Sequence, residues 1–299
     1  MNGVRNIKRS GRFTHWFLIA PAFIYLGLTL GFPLVRGLQL SFTETNTLNP
    51  LMSTFKGIDN YKRLFSSSSF LPSLGVTLSY AFFSVIGALF IGMICALIMN
   101  RTMKAKFLLR ATITLPWAAP PIAVALVFTW IFNAQYGVAN YGLRKLGIGA
   151  TEIQWFDNPS LAMPALILVT VWMTFSLTSL ILLAALQSVP KELNESAMID
   201  GASPLKIFLY ITIPFIRPTI YVMTLLLSIW ALRRFDIIWV LTEGGPVERT
   251  TTLVVRLYRE SFLYQNLGYG AAIGMVGFVL SVSLTFFYFR ASKKVEDLH

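Results

Sequence analysis

Three charged side chains stand together where a long apolar stretch runs out: Arg233, Arg234 and Asp236, flanked by Trp230 and Trp239. Guanidinium, carboxylate and indole together can hold sugar hydroxyls and ring faces, and a guanidinium can also pair with an anionic sugar. A plainer account fits the same residues. Arginines at the end of an apolar run extend toward the interface, and tryptophans belt it. A second polar group, Glu195-Ser196-Ala197-Met198-Ile199-Asp200-Gly201-Ala202, interrupts two apolar runs and carries acid but no nucleophile–base pair. Other chemistries are excluded. There is no Gly-x-x-x-x-Gly-Lys run for a nucleotide. Cys95 is the only cysteine, so disulfides and thiolate metal sites are out. His15 and His299 lie at opposite ends of the chain and make a poor metal pair. The dispersed Ser, Cys and His residues form no catalytic constellation, so neither a catalytic nor a metal site is expected.

These residues must be positioned by elements that lie in lipid. Of 299 residues, 55% are hydrophobic and 13% charged, more apolar surface than a soluble domain hides. A helical span needs about 20 mostly apolar residues, and six runs qualify: His15–Leu40, Ser73–Met99, Leu108–Phe132, Leu161–Leu186, Phe215–Leu232 and Ala271–Phe289. They are continuous rather than alternating, which predicts an all-α polytopic membrane protein rather than a barrel. The net charge of +12 is topological. Arg5, Lys8, Arg9 and Arg12 precede the first span; Arg101, Lys104, Lys106 and Arg110 fill the second loop; Arg290, Lys293 and Lys294 follow the last span. The first and third loops partly balance their basic residues with Glu44, Asp59, Glu152 and Asp157. This bias predicts that both termini and the second and fourth loops are cytoplasmic, and it removes the argument for nucleic acid. The first apolar run is too long for a signal peptide and carries Pro21 and Pro33, so an uncleaved span is expected.

Gly87 and Gly92 fall near one face of the second span, compatible with close helix packing in lipid or with a helix that merely tolerates glycine. Pro116, Pro120 and Pro121 interrupt the third span; they predict a kink, either lining a path or purely structural. In the fourth loop Pro190 and Glu192 suit a helix start, and Gly201 suits its end in a left-handed conformation. Ser203-Pro204 then reads as the cap and first turn of a second short helix running toward Pro214. Two short helices joined at a glycine make a slim, acid-edged knuckle. Residue physics alone leaves it either a fitting for a partner's groove or an ordinary interfacial loop.

The knuckle resembles the signature loop of permease subunits of binding-protein-dependent ABC importers, Glu-Ala-Ala, three residues, Gly and a later Ile-x-Leu-Pro. Asp200-Gly201-Ala202 and Pro214 match, while Ser196 stands for the first signature alanine and Ile213 for the leucine. The resemblance runs from about Trp16 to Arg290 and is nearest the carbohydrate-uptake branch. It is carried also by Pro33, Gly57-Ile58-Asp59-Asn60-Tyr61, Leu115-Pro116, Gly137-Val138-Ala139-Asn140, Leu186-Gln187-Ser188-Val189-Pro190 and Leu241-Thr242-Glu243-Gly244-Gly245-Pro246. It implies a type I ABC importer permease fold with six transmembrane helices in the bacterial or archaeal inner membrane. Residues 1–70 would form the N-terminus, first span and external segment, 71–292 the core with a coupling loop at 190–214, and 293–299 a tail. Implied partners are a second, similar permease, an ATPase homodimer, an extracytoplasmic binding protein, a sugar and membrane lipid. The resemblance implies no cofactor on this chain, since ATP and Mg would sit on the ATPase. Glu195, Ala197, Asp200, Gly201 and Ala202 would contact that ATPase. Comparison with maltose-type permeases puts Thr170 and Thr174, with Trp230, Arg233, Arg234 and Asp236, on the substrate path. It also puts Gly244-Gly245-Pro246 in an external loop near the pore mouth and the docked binding protein. A self-sufficient secondary carrier is the alternative, but the spans show no buried carboxylate chain and no inverted repeat is evident by eye.

Overall fold

The structure, a computed structural model, describes residues 11–101, 106–148 and 152–296. Arg5, Lys8, Arg9, Lys104 and His299 therefore lie outside the described residues. In chain order the helices are α1 (Gly11–Leu26), α2 (Phe32–Ser41), α3 (Asp59–Ser66), α4 (Phe70–Asn100), α5 (Lys106–Ala118), α6 (Pro121–Ile131) and α7 (Val138–Lys145). They continue as α8 (Ala162–Gln187), α9 (Lys191–Ile199), α10 (Pro204–Ile207), α11 (Ile213–Leu232), α12 (Asp236–Thr242), α13 (Leu253–Tyr258) and α14 (Leu267–Glu296). Strands β1 (Thr43–Thr45) and β2 (Ser53–Phe55) form one antiparallel hairpin with Glu44 opposite Thr54.

Among the described residues, five helical runs are long and apolar enough to cross a membrane: Leu18–Ser41, Phe70–Asn100, Ala162–Gln187, Pro204–Leu232 and Leu267–Arg290. The first, second, fourth and sixth expected spans match these within about a turn. The third does not run as one rod. It is α5 and α6, bent by 101°, and only counted together do they make a sixth span. The cause is local. Pro120 is extended (φ −60°, ψ 135°) and caps α6, whose first residue is Pro121. Proline pushes the residue before it out of the helical region, so α5 must stop before the pair.

The fifth span also differs from expectation. The second short helix of the knuckle is not separate: α10, a wide turn at Phe208–Thr212 and α11 form one 29-residue run from Pro204. Ile213 N–H bonds the Phe208 carbonyl, five residues back. Such a π-turn widens the coil just where Pro214 lacks an N–H and would crowd the carbonyl four residues before it. Gly27–Gly31 does the same ahead of Pro33, with Phe32 N–H bonding the Gly27 carbonyl.

The described residues divide into two compact units: those within 1–66 and 259–275, and those within 67–258 and 276–299. In the first, Asn60 Nδ2 donates to the carbonyls of Ser41 (3.0 Å) and Thr43 (2.8 Å). Tyr61 Oη shares a hydrogen bond with Ser41 Oγ at 2.7 Å. The Gly57-Ile58-Asp59-Asn60-Tyr61 motif thus ties α3 to the chain leaving α2.

In the second unit α8 is the axis. More than half of its most apolar stretch is buried, against a third or less in the other four long runs. α4 lies along it, and the two glycines of α4 explain how closely. A methyl on Gly87 would sit 2.6 Å from Val171 Cγ2, and one on Gly92 would sit 2.7 Å from Thr178 Cγ2. The glycines are there because α8 passes against them. The main core joins Tyr80, Val124, Phe128, Leu166, Val169, Ile237 and Ile238, drawn from α4, α6, α8 and α12. Asn140 secures the chain after α6: its Nδ2 donates to the Ala134 and Ile153 carbonyls, and its Oδ1 accepts from Trp155 Nε1 at 2.9 Å.

Candidate functional site

Two places in the second unit combine polar chemistry with unusual geometry. The first is the knuckle. α9 begins at Pro190, extended at φ −57° and ψ 133°, with Glu192 in its first turn where a carboxylate meets the positive end of the helix. It ends in a closed loop. Gly201 has φ +79°, its N–H bonds the Met198 carbonyl at 3.1 Å, and Ala202 N–H reaches the Ala197 carbonyl at 2.9 Å. This is a Schellman motif, which satisfies the last carbonyls without outside help and requires the left-handed residue that glycine supplies best. Ser203 then restarts the chain, its Oγ accepting from Lys206 N–H at the head of α10.

No residue of α9 is buried. Glu195, Asp200 and Gly201 are exposed, Ala197 and Ala202 half-buried. Beside the two carboxylates stand Met198 and Ile199, exposed at 57% and 87%. A methyl on Gly201 would meet nothing within 4 Å, so the position is constrained by its backbone angle and not by packing within this chain. The five residues expected to meet a partner lie together on one short element whose end is closed by its own backbone.

The second place is a cavity of about 500 Å³ lined by Trp117, Pro121, Met173, Trp230, Arg233, Arg234, Phe235 and Asp236. Four segments build it. The bend between α5 and α6 supplies Trp117 and Pro121, α8 supplies Met173, the end of α11 supplies Trp230, and its link to α12 supplies the charged run. Trp117 and Trp230 stack, with ring centroids 5.5 Å apart. The proline break is therefore a wall of the cavity. Arg233 is exposed. Arg234 Nη1 lies 3.7 Å from Asp236 Oδ1, an ion pair outside hydrogen-bond range. Asp236 Oδ1 accepts from Ile237 N–H at 2.9 Å. Arg234 Nε is buried with no hydrogen-bond partner among the described residues, a state that costs about 1–3 kcal/mol unless something from outside satisfies it.

Of the expected path residues, Trp230, Arg233, Arg234 and Asp236 converge on this cavity. Thr170 and Thr174 do not line it. They border a much smaller one of about 10 Å³ behind it, together with Ser84, Trp230 and Arg234. That space admits about one water. Thr170 Oγ1 bonds Tyr80 Oη at 2.6 Å, and Thr174 Oγ1 donates to the Thr170 carbonyl at 2.7 Å. Both threonines are buried and already engaged. Trp239, which flanks the charged run in sequence, packs instead between Phe235 and Tyr258, at 5.4 and 4.7 Å. Among the described residues no group of three or more His, Cys, Asp or Glu could hold a metal.

Three residues were missed in sequence. Trp117 and Met173 carried no polar signal, although Trp117 adjoins Pro116 at the expected kink. Arg256 did carry one, as a lone cation in the apolar run Leu253–Tyr258. It is buried and donates from Nε to Ser73 Oγ (2.7 Å), from Nη1 to Ser69 Oγ (2.8 Å) and from Nη2 to Glu248 Oε2 (2.9 Å). Leu253 N–H reaches Thr77 Oγ1 at 2.9 Å. This network holds the turn at Gly244-Gly245-Pro246 to the start of α4. The turn itself is closed by Thr251 Oγ1 on the Gly244 carbonyl at 2.8 Å, and Gly244 adopts φ +94°.

Residues 88–297 match the family model described as the inner membrane component of binding-protein-dependent transport systems. The sulfoquinovosyl glycerol transport system permease protein SmoG of Agrobacterium fabrum is 35% identical, covering 95% of this chain and 94% of the relative. The trehalose/maltose transport system permease protein MalF of Thermococcus litoralis is 36% identical, covering 94% of each. A chain in the crystal structure of a bacterial ABC transporter that imports the acidic polysaccharide alginate superposes with a TM-score of 0.81. It is 23% identical, covering 94% of this chain and 96% of that one, and this likeness speaks to the fold.

Proposed function

The chain belongs to the family of inner membrane components of binding-protein-dependent transport systems, and from that membership we propose how its parts divide the work. It is a multi-pass permease of an ABC sugar importer in the inner membrane. In our reading it encloses half of the path, and a second permease encloses the other half. It carries no nucleotide site; an ATPase homodimer binds ATP and Mg and does the hydrolysis. The binding protein that gives the family its description delivers the sugar from outside.

The observation that carries the coupling role is the knuckle's self-sufficiency. The end of α9 is closed by its own backbone within residues 197–202, and Ser203 caps the helix that follows, yet the knuckle's face is exposed and bears Glu195, Met198, Ile199 and Asp200. Such an element keeps its shape when seated in another protein, and its apolar residues gain a partner there. Because α10 and α11 are continuous, a push on the knuckle passes into a full span as rigid motion. Alternating access then follows from the ATPase favouring one of two arrangements of the membrane halves. The cavity beside Trp117 and Arg234 is the part of the path this chain contributes.

Replacing Gly201 by aspartate tests the assignment. Gly201→Asp keeps room for its side chain but adds charge and strain at the tip. The expected result is normal membrane insertion with sugar uptake reduced by about 100-fold and loss of ATPase co-purification; an ATPase contact worth about 3 kcal/mol would produce that factor. Full uptake by this variant refutes the coupling assignment.

A further inference from the structure

We propose that the cavity bounded by Trp117, Trp230 and Arg234 selects an anionic sugar, one bearing a carboxylate or sulfonate, over its neutral counterpart. The proposal rests on the reading of this cavity as substrate path and adds the charge of the cargo. Its polar inventory is lopsided. Arg233 and Arg234 line it with two guanidiniums, groups that only donate. Asp236 is the one carboxylate lining it, and one Asp236 oxygen is already occupied by the Ile237 N–H. A neutral sugar offers hydroxyls that donate as readily as they accept, and it leaves the net positive charge uncompensated. A carboxylate or sulfonate only accepts, and it carries the missing charge.

Two further features favour an incoming anion over an internal balance of charge. The Arg234–Asp236 pair is stretched to 3.7 Å, with the arginine side chain 11% exposed and the aspartate 32% exposed. Arg234 Nε is buried and has no partner among the described residues. The Arg234 guanidinium also interacts with the Tyr80 side chain, but its Nε keeps a donor unfilled away from bulk water, and such a donor seeks a charged acceptor. The stacked Trp117 and Trp230 rings, with Met173, also line the cavity and give it an apolar wall suited to a pyranose face. The volume of about 500 Å³ falls among those of small-molecule sites, about 300–1,000 Å³.

The test compares methyl glucuronide with methyl glucoside, which share the ring and differ only at C6. Binding is measured by tryptophan fluorescence on the full chain with its co-purifying membrane and ATPase subunits in nanodiscs, without binding protein. The glucuronide should bind at least about tenfold more tightly, and added salt should narrow the gap. Arg234→Gln should bring the two sugars to near equality. Arg233→Gln, at an exposed position that the fold does not need, should move the ratio the same way. Equal affinity for both sugars in the unaltered protein, lost for both in Trp117→Ala, would overturn the anion preference and leave the cavity as substrate path. No binding of either sugar, or binding indifferent to both Arg234→Gln and Trp117→Ala, would overturn the two together.

Discussion

The knuckle at 190–206 and the cavity at the end of α11 are built in opposite ways. The knuckle is assembled from consecutive residues, the end of its first helix is closed by its own backbone, and no residue of that helix is buried. The cavity is assembled from four segments spread over residues 117–236, its aromatic side chains line it, and Nε of its Arg234 is buried without a hydrogen-bond partner among the described residues. The contrast teaches where each kind of function resides. A transmitter of force needs a fixed local shape and a surface for a partner, whereas a passage for cargo needs groups that other elements hold ready. Damage should follow the same division: changes in the knuckle cost coupling, and changes in the packed bundle cost stability first.

The largest stability effect is expected at Gly92. A side chain there begins 2.7 Å from Thr178 Cγ2 and 3.3 Å from the Phe175 carbonyl oxygen, so Gly92→Leu must force α4 off α8. We expect a loss of about 3 kcal/mol, read as a lowered unfolding temperature in detergent with reduced membrane yield. Gly201→Asp, by contrast, should unfold at nearly the normal temperature while failing in transport. If the two variants lose stability equally, the knuckle is part of the bundle and the comparison fails.

A smaller effect is expected at Arg256. Arg256→Gln removes the guanidinium shared by Ser69, Ser73 and Glu248, and the cost should be about 2 kcal/mol. Glu248 is half-exposed and can turn to water, which keeps the penalty below that of a fully buried pair. The same thermal measurement on Glu248→Gln should show the smaller share of that loss, since Ser69 and Ser73 keep their partner. A Glu248 effect as large as the Arg256 effect would mean that the ion pair, not the buried arginine, organises the Gly244-Gly245-Pro246 turn.

How much of this was readable in the chain depends on how local each feature is. The knuckle's helix start at Pro190 and its glycine stop could be read directly, because a Schellman closure depends on residues within six positions of one another. Apolar length was enough for four of the spans. The third was misjudged in extent: hydropathy marked 25 apolar residues, but Pro120-Pro121 decides whether they form one rod, and a sequence shows the break without its angle. The start of the fifth span was misread for a related reason. Pro214 looks like a stop until a π-turn lets the helix pass it. The cavity was only half visible. Arg233, Arg234 and Asp236 stand out as charges beside an apolar run, whereas Trp117 and Met173 join them only through the bend and the packing of α8. Thr170 and Thr174 were placed by family likeness and lie behind the cavity, bonded to Tyr80 and to the helix itself.

The most direct test of the central claim, that an exposed helix on this chain receives force from another polypeptide, is a crosslink from its middle. Cys95 is the only cysteine, so Cys95→Ser with Ala197→Cys carries a single thiol at the knuckle. Treated with a short bifunctional reagent in membranes that hold the whole transporter, this variant should yield an adduct with the ATPase subunit whose amount changes when ATP is added. An unlinked chain, or a thiol labelled from outside intact cells by a reagent that cannot cross the membrane, would contradict the account.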